Sequence, residues 1–263
     1  RNEKILFVDT DKVTMTIADI LQKEGVKVVD YEQVSGFLAE MCNQSVCLDS
    51  NRLSYRVYNA IAERNWIVDV LSVADMLKSM KNEVEANGFR HVMVRDGVAL
   101  TKFFMWLEKA VPGGAVTEYN VGLKLKEFRS VQANFAGESF STIAGYAANG
   151  AINHYHPNAE TCLNVKPEGF LLIDSGGQYL DGTTDITRTV EVGPVTEAMK
   201  KDYTLVLKGM IGLTKAVFPT RARGSQNDML ARKALWEHGI NSGHGTGHGV
   251  GHYLNVHEGP HSI

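Results

Sequence analysis

The segment Phe170-Leu171-Leu172-Ile173-Asp174-Ser175-Gly176-Gly177-Gln178-Tyr179-Leu180-Asp181-Gly182-Thr183-Thr184-Asp185 decides the fold of this chain. Its first four residues are apolar and predict a buried strand that delivers Asp174 at its end. The dipeptide Asp181-Gly182 is a strong signal for a hairpin turn. Residues 183–192 are then the returning strand. The segment therefore predicts a β-hairpin that carries aspartates on both strands.

The spacing within this hairpin places Asp174 and Asp185 on one face of the ribbon. With Asp181-Gly182 as the turn, Asp185 pairs with Gln178, which lies an even number of residues from Asp174. In ideal geometry the two carboxylates are still about four residues apart, or roughly 13 Å along the strand. A shared site therefore requires a bend, bulge or register shift at Gly176-Gly177, which glycines permit. The alternative is that the aspartates at and after the turn are ordinary turn and edge residues.

A second segment, residues 243–252, alternates glycine with other residues. Glycine occupies the odd positions from 243 to 251, and histidine occupies positions 244, 248 and 252. So much glycine excludes a stable helix, and an extended strand would place the three histidines on one face. His244 and His248 would then be roughly 13 Å apart, so one ion could bind at most one of them. The alternative, a surface loop or tag rich in histidine and glycine, is disfavoured by the interleaved Thr246 and Val250.

Two regions of different character divide the chain, so we predict an α/β (α+β) fold with domains at residues 1–74 and 75–263. The first region alternates short strands with helices, which is typical of a parallel or mixed sheet. The second is strongly helical at its start. There we expect an apolar helix face closed by Gly88 as a C-cap, a helix over 96–110, and another after the N-cap Thr117. Further along we expect an irregular, then extended, stretch over 135–163, helices over 197–217 and 225–238, and a short strand over 253–256.

Composition excludes several classes of protein. The 263 residues carry a net charge of −3 with a pI near 6.3, which gives no electrostatic basis for binding nucleic acid or an anionic membrane. No apolar run approaches the length of a transmembrane helix, and the first residues do not form a signal peptide. Arg1 in place of Met indicates that the native start lies elsewhere. Cys42, Cys47 and Cys162 cannot all pair, which favours free thiols and a cytoplasmic location.

Taken together, the motifs resemble aminopeptidase P (Xaa-Pro aminopeptidase), one of the creatinase-like "pita-bread" metallopeptidases. The matching stretches are residues 174–189, 244–251 and 255–260, with residues 149–155 upstream. The resemblance is strong from about Lys78 to Pro260. The earlier residues look like the second half of the creatinase-type domain that precedes the catalytic domain in long members of the family. The resemblance thus implies a partial creatinase-type α/β domain followed by a pita-bread catalytic domain.

The resemblance also implies roles for six side chains. Three would be metal ligands: Asp174, Asp185 and His248. Three would line the substrate site and assist binding or proton transfer: His154, His244 and His257. Asp185 would bridge two divalent metal ions, usually manganese and sometimes zinc or cobalt. Ligation by carboxylates with one imidazole suits a fairly hard ion.

The implied activity is release of the N-terminal residue from peptides that have proline in second position, by attack of a metal-bridging hydroxide on the Xaa-Pro bond. Such peptides are the expected partners, and a homodimer is the expected assembly. Three alternatives share the fold. A prolidase would cleave Xaa-Pro dipeptides, whereas an inactive module would only bind peptides. A metal-free creatinase-like hydrolase is disfavoured because all three metal ligands are present.

One departure from the family pattern concerns two further glutamates, which in the family follow the histidine motif. Here only Glu258 follows His248, and it belongs to the stretch 255–260 rather than to those positions. We therefore expect a catalytic domain that is incomplete at its C-terminus. The chain ending at Ile263 is expected to bind metal weakly and to be inactive, and its parent protein is expected to be active.

Overall fold

The computed structural model describes residues 3–259, so Pro260, the last residue of the stretch 255–260, lies outside the described residues. The chain divides into two compact units, Arg1–Ala74 and Asp75–Ile263. The first unit contains, in chain order, β1 (Lys4–Val8), α1 (Met15–Lys23), β2 (Val26–Asp30), α2 (Val34–Ala39), β3 (Ser45–Leu48), α3 (Tyr55–Ala62) and β4 (Trp66–Asp69). A short helix, α4 (Val73–Ser79), lies across the boundary.

Parallel strand pairs characterise the first unit. Strand β1 pairs with β2, and β3 pairs with β4. Parallel neighbours need a crossover connection, and α1 and α3 supply the two crossovers. The predicted alternation of strands and helices is therefore present, and β4 is a strand beyond those predicted from the sequence.

An antiparallel sheet covered by helices forms the second unit. Its elements are α5 (Glu83–Ala110), α6 (Glu118–Ser130), β5 (Phe135–Tyr146), β6 (Phe170–Tyr179), β7 (Gly182–Thr183), β8 (Ile186–Glu191), α7 (Glu197–Thr214) and α8 (Gly224–Trp236). Strand β6 is central: β5 pairs with one edge, and β7 and β8 pair with the other. Buried apolar residues of α5, α6, β5 and β6 form one core: Leu100, Phe103, Leu107, Val121, Leu125, Ala144, Leu171 and Ile173. None of the helices that the structure describes combines the length and apolar character needed to cross a membrane.

Helix α5 is one helix of 28 residues, so the predicted break at Gly88 is wrong. The helix begins after Asn82, whose side chain and that of Glu85 form a capping box. Gly88 lies inside the helix, where an added Cβ would be 2.0 Å from the carbonyl oxygen of Asp181. This glycine therefore permits the helix to pack against the hairpin turn rather than ending the helix. The apolar helix face predicted before Gly88, with Met76, Leu77, Met80 and Val84, is also wrong: α4 ends at Ser79, α5 begins at Glu83, and all four side chains are exposed.

The hairpin turn lies one residue earlier than predicted. Tyr179 pairs with Gly182, so the loop consists of Leu180 and Asp181. The Asp181 carboxylate accepts a hydrogen bond of 2.6 Å from the guanidinium of Arg95 on α5. The Asp-Gly pair thus locates the turn to within one residue, and in the observed register Asp181 lies in the loop and contacts α5.

The observed register brings the two hairpin aspartates closer together than predicted. Asp174 pairs with Thr187 rather than with Thr189. The strand register is shifted by two residues from the predicted one. An even shift keeps both aspartates on one face of the ribbon, and it puts Asp185 opposite Gly176. The offset from Asp174 is then about two residues, or roughly 7 Å along the strand. An added Cβ at Gly176 would lie 1.9 Å from a carbonyl oxygen of the returning chain, so only glycine fits this close approach.

Two further predictions of chain conformation are wrong. Residues 135–146, expected to be irregular, form the long strand β5, whose register against β6 shifts at several points. Residues 243–256, expected to be extended, contain no strand within the described part; an isolated bridge joins Gly249 to Glu258. Added Cβ atoms at Gly249 and Gly251 would lie 2.2 Å from carbonyl oxygens of the same segment. The glycines therefore let residues 243–258, called the glycine-rich segment below, fold back on themselves.

Candidate functional site

One cavity of about 940 Å³ in the second unit brings together the side chains that the sequence singled out. All six candidate residues line it: His154, Asp174, Asp185, His244, His248 and His257. They arrive from β6, from the break between β7 and β8, from the loop after β5, and from the folded-back glycine-rich segment. The rest of the lining is partly apolar, with Phe140, Ile143 and Leu172. The cavity therefore combines ionisable groups with a surface that can accept an apolar ligand.

A compact group of potential metal ligands lies in this cavity. One ligand atom each from Asp185, His248 and His257 lies within 4.8 Å of the other two. Nε2 of His248 is 2.9 Å from Oδ2 of Asp185, and the rings of His248 and His257 meet edge to face with centroids 4.0 Å apart. A carboxylate and two imidazoles at this separation are a donor set that divalent transition metals accept. The structure therefore adds His257 to the atoms within reach of an ion at Asp185 and His248.

Asp174 adds a second carboxylate to the cavity, next to Asp185. Among the residues that the structure describes, its Oδ1 is buried and has no hydrogen-bond partner. Burial raises the pKa of Asp185, and the nearby charge of Asp174 raises it further, while His248 and His257 act in the opposite direction. A buried acceptor without a partner is costly, and two neighbouring carboxylates repel. A divalent cation would compensate both effects, so the donor set fits a metal.

A second pair of imidazoles lines the same cavity. The rings of His154 and His244 lie with their centroids 5.7 Å apart and their planes at 70°. His154 has a φ of +56°, a left-handed conformation that is uncommon outside glycine. Imidazoles can bind a substrate carbonyl or transfer a proton near neutral pH.

His252 lies apart from these histidines, so the prediction of three histidines on one strand face is wrong. Its ring packs edge to face against Phe89 of α5, with the centroids 5.7 Å apart. Its carbonyl oxygen accepts a hydrogen bond from Thr183. The folded-back backbone separates the three side chains: two face the cavity, whereas His252 packs on a helix.

Two residues of α8 that were not predicted from the sequence anchor the segment that carries His244. Asp228 and Arg232 form an ion pair of 2.6 Å. Arg232 donates to the carbonyl oxygen of His244 at 2.8 Å, and Asp228 accepts from Thr246 at 2.6 Å. Hydrogen bonds from Arg232 and Thr246 lower the pKa of Asp228. The spacing of four residues could have predicted the ion pair, but no local signal predicts its partners in the distant segment.

Comparisons with known proteins find families and relatives that are similar to this chain. Residues 87–263 match the model of metallopeptidase family M24, and residues 1–85 match the creatinase/prolidase N-terminal domain. A probable Xaa-Pro aminopeptidase P of Laccaria bicolor is 44% identical over 269 residues, covering 100% of this chain and 41% of that protein. The Xaa-Pro aminopeptidase ApepP of Drosophila melanogaster is 42% identical over 267 residues, covering 100% of this chain and 43% of that protein. The chain thus spans about two fifths of the length of these curated relatives.

Solved structures extend the comparison to the fold. An X-prolyl aminopeptidase from Caenorhabditis elegans, described as a cytosolic enzyme with a di-nuclear active site, has a TM-score of 0.90 at 35% identity. The match covers 98% of this chain and 43% of that one. An Xaa-Pro dipeptidase from Bacillus anthracis has a TM-score of 0.71 at 22% identity, covering 94% of this chain and 69% of that one. This second likeness is one of fold alone.

Proposed function

The chain belongs to metallopeptidase family M24, and from this premise we propose that it is part of an aminopeptidase that releases the N-terminal residue from peptides with proline in second position. Relatives named Xaa-Pro aminopeptidase P support the proposal because they resemble the chain along its whole length. A prolidase is the alternative, and the dipeptidase match supports it only at the level of fold.

The observation that carries the proposal is the convergence of carboxylates and imidazoles in one cavity. Asp174 and Asp185 come from the hairpin, whereas His248 and His257 come from the glycine-rich segment. These two parts of the chain are separated in sequence by α7 and α8. A purely structural role does not explain why Asp174, which lines this cavity, keeps a buried carboxylate oxygen without a hydrogen-bond partner among the described residues.

We assign two divalent metal ions to this site, preferably manganese, with zinc and cobalt as alternatives. Asp174, Asp185 and His248 would hold them, and His257 is close enough to contribute a ligand atom or to bind the substrate. When bound, such ions polarise a carbonyl and activate water for attack on it. The carboxylate-rich donor set favours a harder ion over a thiophilic one.

The histidines on the cavity wall would act on the peptide itself. His154 and His244 lie side by side, so a carbonyl oxygen bound near them can accept hydrogen bonds as negative charge develops on it. The proline nitrogen of the scissile bond carries no hydrogen and must gain a proton when the bond breaks. A neighbouring imidazole is suited to deliver that proton near neutral pH.

A cytoplasmic location and a homodimeric assembly are further parts of the proposal. All three cysteines are free thiols, which agrees with a reducing compartment. The relative from Caenorhabditis elegans is described as cytosolic. Sedimentation equilibrium of the full-length protein tests the dimer.

A substrate panel tests the activity. The full-length protein, stripped of metal and then supplied in turn with manganese, zinc or cobalt, is offered an Xaa-Pro dipeptide and longer peptides with the same first two residues. We expect metal-dependent release of the first residue from the longer peptides. Cleavage of the dipeptide alone would indicate a prolidase. Binding of the longer peptides without cleavage under any of the three metals would indicate a peptide-binding module.

A further inference from the structure

The carboxylate of Glu118, the first residue of α6, is completely buried and accepts hydrogen bonds from four groups. The backbone N–H groups of Tyr146 and Leu163 donate to it at 2.7 and 2.8 Å. The hydroxyl of Tyr155 donates at 2.9 Å, and the side-chain amide of Asn149 lies 3.1 Å from both carboxylate oxygens. A carboxylate is costly to bury unless donors compensate it, and these four donors do so.

The four donors mark out a single loop. Tyr146 ends β5, Leu163 lies at the far end of the loop, and the other two donors lie between them. The backbone is also fixed in the reverse direction, because the N–H of Glu118 donates to the carbonyl oxygen of Leu163 at 3.1 Å. Glu118 therefore fastens residues 147–163 to the start of α6 at both ends and at two internal points.

This loop forms one wall of the cavity. His154 lies on it next to the bound Tyr155, and both His154 and His156 line the cavity. The side chain of His154 is exposed, and its left-handed backbone is unfavourable unless surrounding contacts hold it. The hydrogen bond from Tyr155, the next residue, to Glu118 is a contact that helps to hold this backbone conformation.

We propose that Glu118 is a positioning residue, which fixes the loop 147–163 so that His154 faces the substrate site. Glu118 acts through the loop and does not itself touch the reacting atoms. This inference rests on the proposed function, since its catalytic readout is peptidase activity.

The variant Glu118→Gln in the full-length protein tests the proposal. The amide has nearly the same shape, but its NH₂ group cannot accept a hydrogen bond from a backbone N–H. Because a displacement of about 1 Å can cost on the order of 100-fold in rate, we expect kcat/KM to fall by about that factor, mainly through kcat. The matched control is Glu127→Gln on the same helix, where the exposed glutamate pairs only with Lys124 among the described residues. It should leave kcat/KM unchanged.

A double-mutant cycle separates positioning from general destabilisation. If Glu118 acts through His154, then adding Glu118→Gln to His154→Ala should lower kcat/KM by less than about twofold, because coupled residues are not additive. Two independent losses that multiply in the double variant would overturn the proposal.

A measurement without substrate keeps the test independent of the proposed activity. We expect hydrogen exchange at residues 147–163 to become faster in Glu118→Gln, with α8 unchanged. Tyr155→Phe, a milder variant that removes one donor, should speed exchange in the same loop to a smaller extent. Unchanged exchange in both variants would overturn the positioning role. If the wild-type protein has no peptidase activity, the proposed function fails, and faster loop exchange would still establish the anchor.

Discussion

Oδ2 of Asp185 lies 2.9 Å from Nε2 of His248, and the two side chains come from the hairpin and from the glycine-rich segment. Each of these atoms is one that binds metals in proteins. The hairpin contributes its aspartate at the break between β7 and β8, where the ladder to β6 is interrupted. The site therefore depends on two irregularities of the backbone that meet in one cavity.

Replacing Asp185 with asparagine removes a negative charge while it preserves the shape of the side chain. Because the carboxylate is the only anionic member of the group formed with His248 and His257, we expect the full-length Asp185→Asn protein to lose at least about 10- to 100-fold in manganese affinity. Isothermal titration calorimetry and the metal content of the purified protein measure this. The control is Asp181→Asn, a nearby turn residue bound to Arg95. Equal metal binding by wild type and Asp185→Asn would refute this metal assignment.

His257 and His252 provide a matched pair of histidines from the same segment. His257 lies in the group of potential metal ligands, whereas His252 packs on Phe89. We expect His257→Ala to weaken metal binding or lower kcat at least about 10-fold, with little change in unfolding free energy. His252→Ala should reduce stability and leave metal affinity unchanged. Metal titration and urea unfolding of both variants distinguish these effects. If His252→Ala weakened metal binding and His257→Ala only reduced stability, the two assigned roles would be wrong.

Gly176→Ala tests whether close approach of the strands forms the site. A Cβ at this position would lie 1.9 Å from the carbonyl oxygen of Thr184 and 2.2 Å from Oγ of Ser139. We expect a loss of unfolding free energy of about 1–3 kcal/mol, as for other overpacked sites, together with weaker metal binding. Gly97→Ala is the control, since an added Cβ there meets no atom within 4 Å. In helix α5 that change should stabilise by about 0.5–1 kcal/mol. Equal effects of the two substitutions in urea unfolding would contradict this explanation.

The sequence predicted the family and the fold class, and both are confirmed by the matches over residues 1–85 and 87–263. Periodicity identified most helices because their apolar faces are local features. It failed at Gly88, where a glycine typical of a helix end instead admits the carbonyl oxygen of Asp181. Contacts of this kind join residues far apart in sequence, and no local pattern contains them.

The same contrast between local patterns and distant contacts applies to the candidate site. The motifs singled out every one of the six candidate side chains that the structure places around the cavity. The register of the hairpin and the folding of the glycine-rich segment were predicted wrongly, since both depend on tertiary contacts. Glu118 and Arg232 were not identified at all. A glutamate at the first turn of a helix and an arginine four residues after an aspartate are common surface patterns, and only the fold shows which loops they bind.

A buried ion pair between Asp96 and Arg129 joins α5 to α6. Both side chains have no exposed surface, and Nε of Arg129 lies 2.7 Å from Oδ1 of Asp96. Tyr179 donates to the same oxygen at 2.8 Å, and its burial, followed by the charge of Asp96, raises the pKa of its hydroxyl. Asp96→Asn leaves a buried guanidinium without its counter-ion and should cost about 3–5 kcal/mol.

Tyr179→Phe removes only a hydrogen bond and should cost about 1–2 kcal/mol. Chemical denaturation of the two variants tests the ranking. Glu197→Gln, which breaks the exposed pair with Lys200, is the control and should change stability by less than about 1 kcal/mol. A loss as small for Asp96→Asn as for this control would mean that the buried pair contributes little.

Asp181 should make the stability of the protein depend on pH in the acidic range. Burial alone would raise the pKa of Asp181, but hydrogen bonds from Arg95 and Asn134, together with the charge of Arg95, hold the pKa below its ordinary value of 3.8. A carboxyl whose pKa is lower in the folded state stabilises the fold above the unfolded-state pKa, and this contribution is lost as pH falls through the folded-state value. Wild type should therefore exceed Asp181→Asn in unfolding free energy at pH 5 to 7, and the difference should shrink below about pH 4.

Urea unfolding of both proteins across this range measures the difference. A gap that stays constant down to pH 3 would show that the turn is held by the shape of the side chain and not by its charge.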